Sequence, residues 1–489
     1  MPDHEETMQP STYGATPSSA DAVEEEAAPP KPPEPAKVSS WPMWVLGLVI
    51  MVDQIDQNIV RGLVTPLKED LGISDFQIGL LLSSFVLVNG LITVPAGYLA
   101  DRWNRSRTIG HTVVAWSAIT AFSGLFRNFG WLIGVRSALG FGQAITEPAC
   151  ASLIADYYPA EQRGKAFSIQ QGLLFVGVGL GVGLGGAIGS TLGWRWAFLI
   201  VALPGFLVAM LAYRLKEPSR GHADRLHLGL DDDGVDVDVE EEPHGLFDEG
   251  FRQFVRDMVA GLRQDLRTIW GITTMRYALV GVSALLFSIT AVAAGLPQFY
   301  ERQLGVKEGQ AEALFALLVI AGGLPGVLLG GRLADRYATR IRGARMAIPA
   351  YCILIGTGLF TMSYLWVPLA VAIPLELVGF FITTMSIPSL RAGLSDAVPA
   401  NLRGAGFGAF NLCSVLFGQA AAPLILFGIS GAFDDNLRTA LLAVSPPVFI
   451  GALLLLRARD HLDEDAAKIF QAIVTAMQEQ QEREARGQA

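Results

Sequence analysis

Three ionisable residues interrupt an apolar stretch near the start of the chain. The stretch, Trp44 to Thr65, reads WVLGLVIMVDQIDQNIVRGLVT and carries Asp53, Asp56 and Arg61. It is long enough to cross a bilayer, which takes about 20 helical residues. An ionisable group at mid-membrane costs ~2.5–3.5 kcal/mol on insertion scales, so its retention points to a function. Asp53 and Asp56 are three residues apart and share one helix face. Carboxylates so placed can take up and release a proton, or pair with a cation on a neighbouring helix.

Further charges fall inside other apolar runs: Arg136 and Glu147 in the fourth, Glu376 in the tenth. A guanidinium offers a donor fork that fits a carboxylate or a phosphate. Arg136 is therefore read as a switch partner for Asp56 or as an anchor for a substrate phosphate. The alternative is a permanent Asp56–Arg136 pair that only fixes helix packing. Asp53 and Glu147 are further proton carriers, and Glu376 adds an acid to the other half of the chain. Arg61, near the outer end of its span, snorkels to the surface or meets substrate.

Composition sets the class. Of 489 residues, 51% are hydrophobic and 17% charged, with a mean hydropathy of +0.40. Soluble chains carry about 25% charged residues. The chain reads as an all-α membrane protein. Its net charge of −10 comes largely from the N-terminal tail and one internal loop, and nucleic acid is excluded as a partner. Cys150, Cys352 and Cys413 lie in apolar runs without metal-ligand spacing, so neither metal nor cofactor is expected. Walker A, Gly-x-Ser-x-Gly and His-Glu-x-x-His patterns are absent, which argues against an enzyme.

The apolar runs number about twelve, six on each side of a long polar segment. Residues 1–40 are acidic and rich in Pro, Ser and Ala, and read as a disordered tail. A six-helix half over 41–215 follows. Residues 216–268 form a loop with an acidic tract and an amphipathic helix suited to the membrane surface. The second six-helix half covers 269–457, and 458–489 is a tail with a weaker amphipathic helix. Even-numbered connections, such as DRWNRSR and DRYATRIRGAR, are the basic ones. They and both termini are expected on the cytoplasmic side of the plasma membrane.

The halves repeat each other. Gly97-Tyr-Leu-Ala-Asp101-Arg102 recurs as Gly331-Arg-Leu-Ala-Asp335-Arg336, and the Asp156–Gly164 segment recurs as Asp396–Gly404. In that register Pro148 matches Pro388 and Arg136 matches Glu376. Parallel six-helix halves with a site between them suit alternating access by rocking. The segment GYLADRWNRSR, Gly97–Arg107, resembles motif A of the major facilitator superfamily, with Asn104 where the family has Gly. The resemblance covers about residues 41–457. It implies the major facilitator fold, a monomer, and gating by Gly97, Asp101, Arg102 and Arg105 and by Gly331, Asp335 and Arg336. A role in topology alone is the competing reading. The motif's arginines are expected at the headgroup level.

A narrower resemblance is to the Spinster-like transporters. It rests on Asp56, on Pro66-Leu-Lys-Glu-Asp-Leu-Gly-Ile-Ser-Asp with Gln77-Ile-Gly-Leu-Leu, and on Arg136-Ser-Ala-Leu-Gly-Phe-Gly-Gln143. The chain departs at Gln57, where the family pattern has Arg, and at Gln143, where it has Glu; Glu147 lies one turn on. The resemblance implies proton-coupled transport of lysophospholipid or a similar amphipathic lipid, with protons and membrane lipids as the other partners. The alternatives are a proton-driven exporter of hydrophobic drugs or organic anions, and a receptor or scaffold that transports nothing.

Overall fold

In the computed structural model the described residues are 39–100, 104–219, 256, 260, 263, 267, 270–338, 343–365, 367–397 and 411–461. They form twelve principal helices, ten of them long and apolar enough to cross a membrane. The first six are α1 (Trp41–Leu71), α2 (Asp75–Ala100), α3 (Arg105–Ser123), α4 (Phe129–Gln143 and Thr146–Tyr157), α5 (Ala160–Leu192) and α6 (Trp194–Ala212). The second six are α7 (Thr273–Leu304), α8 (Gln310–Leu318, Val319–Gly323 and Leu324–Ala338), α9 (Ala344–Tyr364), α10 (Leu369–Ala397), α11 (Asn411–Ala432) and α12 (Leu437–His461). The predicted N-tail, acidic tract, amphipathic loop helix and C-tail lie mostly or wholly outside the described residues, as do Asp101 and Arg102.

Glycine brings α1 and α5 together. Gly177, Gly181 and Gly185 recur every fourth residue on α5 and face the carbonyls of Met51, Ile55 and Ile59 on α1. A Cβ on Gly181 would lie 2.7 Å from the Ile55 oxygen, and one on Gly185 2.6 Å from that of Ile59. Such small-residue stripes let membrane helices meet backbone to backbone. The stretch of α1 held in this way carries Asp53 and Asp56, so α5 fixes the acids from behind.

One expectation needs correction. The fourth span is not one continuous helix, because Ala144 and Ile145 form a turn. Pro148, in the first turn of the second piece, has no N–H to bond a carbonyl four residues back and so is accommodated at the break, though the matching Pro388 lies within an unbroken helix. Arg105 opens α3 and is enclosed by protein. It is 1% exposed, pairs with Asp156 and donates to Glu217 at 2.7 Å and Ser152 at 2.7 Å. The carboxylates of Asp156, at the end of α4, and Glu217, just after α6, draw it inward. Arg163 caps α4 as well, donating to the Ala155 and Tyr158 carbonyls at 2.7 and 2.9 Å. The first copy of the repeated Asp-to-Arg segment thus closes a helix end.

The two halves meet where α1 joins α2, α7 joins α8 and α11 joins α12. Asp75 opens α2, and its side chain is wholly buried. It accepts from Lys68 at 2.7 Å, from Arg302 at the end of α7 at 2.7 and 3.1 Å, and from Ser430 on α11 at 2.8 Å. Lys68 also pairs with Asp435. Asp434 and Asp435 both adopt left-handed backbone, φ 55° and 57°, a conformation Asp tolerates better than most residues. Thr65 donates to Glu301 at 2.6 Å, and Gln298 donates to the Arg61 carbonyl at 3.0 Å. These bonds close this end of the bundle.

Candidate functional site

The acids of α1 lie inside the first half with unequal partners. Asp56 is 3% exposed. Its Oδ1 accepts from Thr120 of α3 at 2.7 Å and from Arg136 of α4 at 3.1 Å. Its Oδ2 accepts from Gln143 at 2.8 Å, and Arg136 also donates to the Asp56 carbonyl at 2.8 Å. The Arg136 guanidinium, 2% exposed, stacks on Phe198 at 5.3 Å. Both oxygens of this carboxylate are filled and its charge is matched.

Asp53, one turn earlier, has no such match. Its Oδ2 accepts from Gln57 at 2.7 Å and Gln54 at 3.5 Å, while the buried Oδ1 has no hydrogen-bond partner. The charged side chains acting on it are acids, Asp56 and Glu147. Glu147 follows the break in α4 and is exposed. The row therefore runs from an exposed carboxyl, through a buried uncompensated one, to a buried compensated one.

Arg61 does not reach for the membrane surface. It sits in a tightened 3-10 turn, Val60–Leu63, and folds back to bond Asn58. Asn58 offers an acceptor one turn away, and that turn is packed under α5, with Gly62 against the Val182 carbonyl. Glu376 is remote from these groups in sequence and belongs to the second half. It is fully buried and accepts from Tyr300 of α7 and, at 2.8 Å, from Ser363 of α9. Gly97 lies within α2; Gly331, Asp335 and Arg336 lie within the last segment of α8.

Sequence reasoning missed Thr120, Tyr300 and Ser363, because a hydroxyl in an apolar helix carries no signal of its partner. It also missed the Lys68, Asp75, Arg302 and Asp435 cluster. Lys68 and Asp75 read only as part of a motif carrying a family resemblance, and two of the three partners of Asp75, Arg302 and Ser430, lie 227 and 355 residues away. At the same end, Glu308 in the α7–α8 loop is pushed above the usual carboxylate range by burial, and then by Glu301 and Glu69. A cavity of about 500 Å³ there is lined by Glu69, Asp70, Trp194, Arg195 and their neighbours, and by none of the buried acids.

Known proteins resemble this chain along most of its length. The model of the Major Facilitator Superfamily matches residues 46–423. Protein spinster of Drosophila melanogaster is 24% identical over 331 residues, 66% of this chain and 50% of that protein, so the match spans half the relative's length. The D-galactonate transporter of Escherichia coli is 24% identical over 399 residues, 79% of this chain and 87% of that protein. A crystal structure of a bacterial homologue of the human lysosomal transporter Spinster, inward-facing and occupied, superposes with a TM-score of 0.70 at 22% identity. It covers 87% of this chain and 98% of the other.

Proposed function

Because this chain belongs to the Major Facilitator Superfamily and is a transporter resembling Spinster-like proteins, we propose that it is a proton-coupled carrier of lysophospholipid or a similar amphipathic lipid. It works as a monomer in the plasma membrane by alternating access. The observation that carries the coupling is the unequal pair of buried acids on α1. Asp53 has an oxygen without a partner, while Asp56 is held by Arg136, Thr120 and Gln143.

A charge held without a counterion inside a bundle is costly, and a bound proton removes it. In this arrangement the proton resides on Asp53, reached from the exposed Glu147. When α1 and α4 part, Arg136 leaves Asp56, and Asp56 takes the proton in turn. The freed guanidinium then meets the substrate phosphate, for which its fork is suited. Arg61 and Glu376 flank the route on the two halves. Loop charge assigns even connections and both termini to the cytoplasm. The Asp75–Arg302 end is then the outer end, closed, and the substrate path opens inward. The latch of the opposite state is formed by Gly97, Asp101 and Arg102 with Gly331 and Asp335.

A second reading is a proton-driven transporter of organic anions. It is favoured by the broad match to the D-galactonate transporter. Proteoliposomes under an imposed pH gradient separate the two. The lipid reading expects flux of labelled lysophosphatidylcholine and none of D-galactonate; the reverse result replaces it with the second.

A further inference from the structure

The two halves repeat one polar contact with different charge. In the first half, Thr120 of α3 and Arg136 of α4 converge on Asp56 of α1. In the second, Ser363 of α9 and Tyr300 of α7 converge on Glu376 of α10. The equivalent helices supply each member, at residue numbers 243, 240 and 244 apart for the Thr120–Ser363, Arg136–Glu376 and Asp56–Tyr300 matches. The acid has moved from the first helix of the half to the fourth, and no guanidinium has taken the vacated place.

Glu376 therefore lies fully buried among neutral donors. Tyr300 on α7 and Tyr364 on α9 are the titratable groups that face it, and the Tyr364 hydroxyl, 2% exposed, has no hydrogen-bond partner. Arg438 of α12 stacks on Phe299 at 5.6 Å, and the Phe299 ring packs against both tyrosines. Thr383, seven residues on from Glu376 as Gln143 is from Arg136, also has a buried hydroxyl without a partner. A carboxyl with this surrounding can be neutralised only by a proton. Its protonated form brings an O–H that the ionised form lacks.

We propose that Glu376 is a second proton-binding site, held in the second half and independent of the α1 acids. Movement of α7 against α10 withdraws or restores the Tyr300 hydroxyl and so changes the hold on the proton. The inference rests on the reading of the chain as a proton-coupled carrier, and extends it to two protons carried on separate halves.

Infrared difference spectra of the purified protein in lipid nanodiscs test this without any substrate. A pH step between roughly 4 and 9 reveals each carboxylic acid by its carbonyl stretch as it loses its proton. Glu376→Gln keeps the shape, its amide oxygen accepting from one hydroxyl and its N–H donating to the other. One titrating carbonyl band should vanish in it and persist in Asp56→Asn. Tyr300→Phe should keep that band and move its midpoint. Bands identical in wild type and Glu376→Gln would overturn the site, and a midpoint unmoved in Tyr300→Phe would overturn its coupling to α7. Failure of the lipid assignment would appear only in flux and leave these bands in place.

Discussion

Arg302 grips Asp75 with two hydrogen bonds, 2.7 and 3.1 Å long, and the pair ties the last turn of α7 to the first turn of α2. Helices from opposite halves thus meet through one carboxylate, which also holds Lys68 and Ser430. Its side chain is fully buried while those of Arg302 and Lys68 are 19% and 25% exposed. The acid is the fixed centre of the contact, and the cations reach it from the rim.

Asp75→Asn should weaken this closed end by ~2–3 kcal/mol, the size of lost hydrogen bonds to a charged group. Spin labels at Thr191 and Lys307, exposed on the two halves, read the opening as a distance distribution. The variant should populate the longer distance. A distribution like that of wild type would remove this pair from the closing contacts.

Acidity should favour the same closed end. Burial and the neighbouring Glu301 and Glu69 hold Glu308 above the usual carboxylate range. The closed arrangement then binds a proton that the open, hydrated arrangement releases. This contribution is present at the ordinary glutamate value of about 4.3 and is lost as pH rises through the raised one. The same label pair should lengthen with rising pH across that window. Glu308→Gln should flatten the response, and lengthening on acidification would contradict the account.

Gly181→Leu should disturb the fold rather than any one proton site. Its side chain would meet the Ile55 carbonyl, 2.7 Å from where its Cβ would stand. Overpacking costs ~1–3 kcal/mol, and here the obstacle is backbone. Thermal unfolding of the detergent-solubilised protein should show a lower midpoint; an unchanged midpoint would mean that α1 and α5 have room to spare.

Arg136→Met should be the most damaging single change in the first half. It leaves the Asp56 carboxylate buried without its cation, which costs ~3–5 kcal/mol. Adding Asp56→Asn removes the stranded charge and should recover much of the loss. Equal melting of the single and double variants would show that the pair contributes nothing beyond each residue alone.

Periodicity and charge made the helices legible because a bilayer demands about 20 apolar residues for each crossing. The meeting of Asp56 and Arg136 followed from a buried acid and a buried base on helices that line one half. The break in α4 was illegible, because apolar residues run on through it and the matching Pro388 lies inside an unbroken helix. The enclosure of Arg105 was illegible because the sequence does not reveal that Asp156 of α4 and Glu217, just after α6, approach it. The closing contact was illegible for the same reason. Its members lie in short polar connections, and only the folded chain brings them together.

Gradient-driven flux in proteoliposomes tests proton-coupled lipid transport most directly. Labelled lysophosphatidylcholine, an imposed pH gradient, and the wild type beside Asp53→Asn and Asp56→Asn are all that is needed. Gradient-driven flux in the wild type that falls to the protein-free level in both variants is the predicted result. Flux unchanged in both variants would contradict the coupling role of the α1 acids, and no flux from a folded wild type would contradict the lipid assignment.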